Sequence, residues 1–129
     1  MDQCLLDRVI KEMEQLLSKD EMPDWFNYPE EFLRIIEQGL LDFDPWIILQ
    51  EARLRTRFTG LKERYPSREL VPFARREDND DVACWDKQRP GLVVIIHDFS
   101  SPGSESKEEF SCFWEWFRSA VEATIAYDG

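Results

Sequence analysis

The reading turns on three runs that follow one another closely. They are Leu70-Val71-Pro72-Phe73-Ala74-Arg75, Asp81-Val82-Ala83-Cys84-Trp85-Asp86 and Gly91-Leu92-Val93-Val94-Ile95-Ile96-His97-Asp98-Phe99. Each is short, rich in β-branched and aromatic residues, and bounded by polar turn formers, so the three read as the strands of an antiparallel meander. Leu92 to Ile96 is apolar at every position rather than at alternate ones, which predicts a central strand covered on both faces. Something must supply those covers, and the flanks of the stretch are helical in period.

Upstream, Leu5, Leu6, Val9, Ile10, Met13, Leu16 and Leu17 recur at helical spacing, so residues 2–18 read as an amphipathic helix. Residues 20–28 hold a proline and several turn formers and read as a loop. Pro29 suits a first helical turn, and a short helix follows through Gln38, ended by Gly39. Residues 40–49, broken by Asp42, Asp44 and Pro45, read as irregular or as an edge strand. Leu54, Phe58, Leu61 and Tyr65 mark a helix over 50–64, stopped by Pro66. Downstream, 100–106 is a Gly/Pro/Ser loop. A last helix over 107–126 presents Phe110, Phe113, Trp114, Phe117, Val121 and Ile125 on one face. The expected class is α+β: a central, mainly antiparallel sheet flanked by helices, in one domain over residues 1–129. The length of 129 residues leaves no room for two independent cores, and 43% apolar with 13% aromatic residues excludes wholesale disorder.

The net charge is −11, a sign that repels phosphate backbones and anionic lipid and argues against nucleic-acid or membrane-surface binding. The charge is uneven: residues 1–50 carry −8, residues 51–76 carry +5 and residues 77–129 carry −8. Three cysteines, Cys4, Cys84 and Cys112, are too few and too scattered for a disulfide framework or a structural zinc site. The start lacks a signal-peptide pattern and the longest apolar run, Leu92 to Ile96, cannot cross a bilayer. A cytoplasmic protein is the expectation.

Few constellations carry chemistry. His97 is the only histidine, so a hydrolase would have to use it with Cys84 or Ser100. Neighbours on a strand point to opposite faces, however, so Asp98 is badly placed to orient His97, and a strand-end histidine satisfied by a backbone group is the plainer reading. Asp78-Asn79-Asp80-Asp81 resembles half of a calcium loop but lacks its glycine and distal glutamate, which favours an acidic turn whose side chains cap their own backbone. Five glycines form neither a phosphate loop nor a dinucleotide fingerprint. No catalytic residue, cofactor, metal or small-molecule substrate is therefore expected. Arg53, Arg57 and Arg64 share one stripe of the middle helix beside its apolar face, either as a partner site or as a flank paired with the chain's own acids. Trp116 lies off the apolar stripe of the last helix, as a second core contact or as a binding anchor.

The order of motifs is itself informative. Asp44-Pro45-Trp46 is followed by Tyr65-Pro66-Ser67, then by Pro72-Phe73-Ala74 and Asp81-Val82-Ala83-Cys84-Trp85. Ile96-His97-Asp98-Phe99, Ser101-Pro102-Gly103 and Phe113-Trp114-Glu115-Trp116 complete it. Over about residues 25–126 this order resembles the SUKH superfamily of bacterial immunity proteins and related fungal regulators. The resemblance implies an α+β fold without catalysis, and direct binding of a toxin, in many cases a nuclease, inside the producing cell. The glycine usual in the turn before the Asp81–Trp85 run is replaced here by Asn79 and Asp80. Partner contacts vary in that family and carry over to no residue; from charge and placement alone, Asp78, Asp80, Asp81, Arg53, Arg57 and Trp116 are the expected contacts. The expected partner is a basic toxin protein, met by a monomer or homodimer. A scaffold domain without a toxin is the alternative.

Overall fold

The computed structural model describes residues 15–127. The helix expected over 2–18 lies almost wholly outside them. Helix α1 is Glu30–Glu37, strand β1 Asp42–Phe43, β2 Trp46–Ile48, helix α2 Glu51–Arg64, β3 Leu70–Arg76, β4 Asp81–Asp86, β5 Arg89–His97, β6 Ser106–Phe110 and helix α3 Phe113–Ala126. The six strands form one sheet in the order β1-β2-β3-β4-β5-β6, every pair antiparallel. An α+β sheet with three helices is therefore what these residues build, as expected.

Local chemistry accounts for the boundaries. Pro29 precedes α1, and Gly39 leaves it at φ +74°, a left-handed conformation that costs glycine nothing. Gly39 N–H donates to the Ile36 carbonyl and Leu40 N–H to that of Ile35, both at 2.9 Å, so two terminal carbonyls of α1 are satisfied. Helix α2 ends at Arg64, one residue before the residue that Pro66 bars from helical geometry. β3 is register-shifted between Pro72 and Ala74, where proline has no N–H for the ladder.

Two expectations need correction. The charged run Ser106-Lys107-Glu108-Glu109 is strand β6, not the start of the last helix, which begins at Phe113. An edge strand with nearly every side chain in solvent carries no apolar alternation by which to recognise it. The later start turns α3: Phe113, Trp116 and Ala120 are buried, while Trp114 and Ile125, assigned to the inner stripe, are exposed. Residues 40–49 form the short β1–β2 hairpin at the opposite edge.

The core is aromatic on the face covered by α1 and α3. Phe73 of β3 stacks on Trp85 of β4 with ring centroids 4.3 Å apart, and Phe32 of α1 meets Trp85 edge-on at 5.1 Å. Trp116 of α3 packs edge-on against Phe73 at 4.8 Å and Trp46 of β2 at 5.5 Å. Helix α2 packs on β3 and buries Leu54, Phe58, Leu61 and Tyr65, the residues its periodicity singles out. Val93 to Ile96 of β5 are buried throughout, in keeping with a strand covered on both sides.

Candidate functional site

Strand β5 ends at His97, and the two residues at its end go opposite ways. His97 Nδ1 lies 2.9 Å from Asp81 Oδ1, while the other Asp81 oxygen accepts from Lys107 Nζ at 2.5 Å. Sequence reasoning favours a backbone partner for His97. A carboxylate takes that place because Asp81 lies directly opposite His97 in the β4–β5 ladder.

Asp98 points toward α2, and its carboxylate is buried. Arg64 donates to it from Nε at 2.7 Å and Nη2 at 2.6 Å, Arg57 from Nη1 at 2.8 Å, and the Phe99 N–H at 2.8 Å. Burial alone would push the Asp98 carboxyl up, but the hydrogen bonds from Arg64 and Arg57 outweigh it and hold it below the ordinary carboxylate range. Asp98 N–H donates to the Asp80 carbonyl at 2.9 Å, tying this corner to the β3–β4 turn. In that turn Asp81 N–H donates to Asn79 Oδ1 at 2.8 Å, the self-capping expected of the acidic run, and Asp78 pairs with Arg76 at 2.8 Å.

The next residue is a large hydrophobic side chain left in solvent. Phe99 stands 63% exposed at φ +64°. Glu51 is the other non-glycine residue with positive φ among those described. For a bulky side chain that conformation is strained by about 1–3 kcal/mol and persists only where surroundings over-determine it. Here they do. Asp98 caps the Phe99 N–H, the Tyr65 hydroxyl donates to the Ser100 carbonyl and accepts the Ser100 N–H, both at 3.0 Å, and two guanidinium groups lean on the ring. Arg64 Cζ is 4.2 Å and Arg57 Cζ 5.9 Å from the ring centroid, within cation–π range.

A third charged group closes the loop beyond. Arg68, just after α2, donates to Asp86 at 2.6 Å and Glu105 at 2.9 Å, and Glu105 accepts the Gly103 N–H at 2.6 Å. The turn from Asp98 to Ser106 is thus pinned at both ends by arginines of the basic central segment. The +5 of residues 51–76 is largely consumed inside the fold.

Of the sequence-predicted contacts, Asp80 and Arg57 come together at this corner. Arg53, one turn before Arg57 on α2, is exposed and unpaired among the described residues. Asp78 borders the corner. Asp81 does not belong to the surface: it is buried beneath His97 and Lys107, held there by strand pairing. Trp116 is 1% exposed in the aromatic core and cannot touch a partner, because the later start of α3 turns it inward. Sequence reasoning missed Phe99. Its only sequence signal is its place at the junction of an apolar strand and a Gly/Pro/Ser loop.

The Cys84–His97 pair that one hydrolase scheme would need is not brought together. Cys84 faces Val94, three positions along β5 from His97, about 10 Å at strand rise. Burial pushes the Cys84 thiol up, away from the thiolate, and the Ser100 backbone, not its side chain, is what Tyr65 holds. Among the described residues no cluster of three His, Cys, Asp or Glu side chains could hold a metal ion, and no helix is long and apolar enough to cross a membrane. Comparison with family models, curated proteins and solved structures finds no match to this chain.

Proposed function

We propose that this chain is a non-catalytic immunity protein of the SUKH type, which binds a basic toxin protein, such as a nuclease, and neutralises it in the cytoplasm of the cell that makes it. The observation that carries the reading is Phe99: an exposed aromatic held on strained backbone and flanked by Arg57 and Arg64. Strain of this kind collects at functional positions, and a rigid aromatic beside arginines is the composition of an interface hot spot. The net charge of −11 favours fast capture of a basic partner, since long-range attraction raises the rate of encounter. The order of motifs from Asp44-Pro45-Trp46 to Phe113-Trp114-Glu115-Trp116 supports the family assignment, and the six-stranded antiparallel meander with three helices is compatible with it.

Copurification with the product of the adjacent gene tests the proposal. A stable complex that protects cells from that product, and that Phe99→Ala weakens, is the expected outcome. A tight partner with no toxicity of its own would move the protein to the scaffold class. Absence of any partner, with wild-type protein giving no protection, would end the immunity reading.

A further inference from the structure

A cleft of about 520 Å³ opens between the loop before α1, the β4–β5 turn and the start of α3. Its walls are aromatic. Trp25 meets Phe26 at 5.5 Å, Phe26 meets Trp85 at 5.2 Å, and Phe113 meets Trp114 at 5.6 Å. Trp114 remains 43% exposed on a helix that buries Phe113, Trp116 and Ala120. The cleft also carries one uncommitted charge: Glu31, in the first turn of α1, has no ionic or hydrogen-bonding partner among the described residues. The two cations of the lining are engaged elsewhere, Lys87 with Glu69 at 3.0 Å and Arg89 with Glu109 at 2.6 Å.

We infer that this cleft receives the cationic side chain of a lysine or arginine presented by a basic partner protein. Complementarity is the reason. The faces of tryptophan and phenylalanine rings are negative and attract a cation, most strongly when water is excluded. An apolar side chain would suit the walls equally well, but would cover Glu31 and leave a carboxylate desolvated without a partner. A cation satisfies the rings and the carboxylate together, and an anion is repelled by both. The net charge of −11 selects the same sign of partner before contact. The inference rests on the protein-binding reading above, and adds the chemistry of one group recognised and a second place where it docks.

The test follows the indole N–H resonances of the full-length chain by NMR, titrated with N-acetyl-lysine methylamide, N-acetyl-arginine methylamide and the uncharged N-acetyl-norleucine methylamide. The lysine and arginine probes are expected to shift Trp25, Trp85 and Trp114 saturably, with norleucine binding at least about fivefold more weakly. Glu31→Gln is expected to weaken the cationic probes about threefold or more while leaving norleucine unchanged, and Trp114→Ala to abolish the response in a protein whose circular dichroism matches wild type. Equal binding of norleucine, indifference to Glu31→Gln, or no response to any probe overturns the inference. Shifts of the same indoles with protein concentration alone also overturn it, since the occupant is then a second copy of the chain. If a copurified partner binds Glu31→Gln and Trp114→Ala as tightly as wild type, the cleft fails and the protein-binding reading stands. If the cationic probes bind as expected but the chain has no partner, the cleft's chemistry stands and the protein-binding reading fails.

Discussion

The Arg64 guanidinium is shared between the Asp98 carboxylate, which it grips from two nitrogens, and the ring of Phe99, whose centroid lies 4.2 Å from its Cζ. One side chain thus neutralises a buried charge and props up an exposed aromatic, so the electrostatics of the interior and the shape of the surface cannot be changed independently here.

Phe99→Ala is expected to separate the two roles. The Ala side chain leaves the Asp98 pairs in place, so urea midpoints should move by less than about 1 kcal/mol in unfolding free energy. Affinity for the partner should fall by about 2 kcal/mol, roughly thirtyfold, if the ring is the anchor of the interface. Calorimetric titration with the copurified partner reads both the loss and its size.

Asp98→Asn should cost about 3 kcal/mol, because it strips two arginines of a buried counter-charge. It should also change the response to acid. Asp98, Glu105 and Asp78 all have carboxyls held below their ordinary range in the folded chain. A lowered folded-state pKa gives stability that is complete above the unfolded-state values, by about pH 5, and is lost as the pH falls through the depressed values. The thermal stability of wild type should therefore decline as the pH falls below about 5, and Asp98→Asn should show a shallower decline over the same interval.

Gly60→Ala offers a less obvious test. In a helix interior this change ordinarily stabilises by about 1 kcal/mol. At Gly60 the added Cβ would lie 2.7 Å from both terminal nitrogens of Arg64, so the guanidinium must shift while it is held by Asp98. The gain should vanish or become a loss in wild type, and should reappear in an Asp98→Asn background, where Arg64 is no longer held. Additive behaviour in the double mutant cycle would contradict the coupling.

Trp116→Ala should be the most damaging of these changes, at about 3–5 kcal/mol, since it empties the space between Trp46, Phe73 and Phe113. Arg53→Ala, on an exposed side chain with no partner among the described residues, should stay within about 0.5 kcal/mol. Denaturant melts of the pair measure the contrast directly.

What the sequence reveals and conceals follows from burial. Strands β3, β4 and β5 and helices α1 and α2 are legible because each buries a patterned face. β6 is not, since Lys107, Glu108 and Glu109 project into solvent and leave only a charged run that mimics a helix start. The turn of α3 hides for a related reason: Trp114 and Trp116 are chemically alike, and only the position of Phe113 at the first turn decides which faces inward. At the candidate site, strand alternation correctly parts His97 from Asp98, and the arginine stripe of α2 is visible. That Arg57 and Arg64 converge on Asp98 is not, because the partners are 41 and 34 residues away along the chain. The left-handed backbone of Phe99 is concealed altogether, since phenylalanine gives no signal of it.

The strand order has a consequence for the chain during its synthesis. Every strand after the first pairs with one already made, so hairpins can close successively as the polypeptide leaves the ribosome. The aromatic face is different: Phe73 awaits Phe113 and Trp116, which arrive only with α3. Until then the nascent sheet presents one finished surface and one adhesive one. The segment that carries α3 is the one that ends its exposure to misassembly.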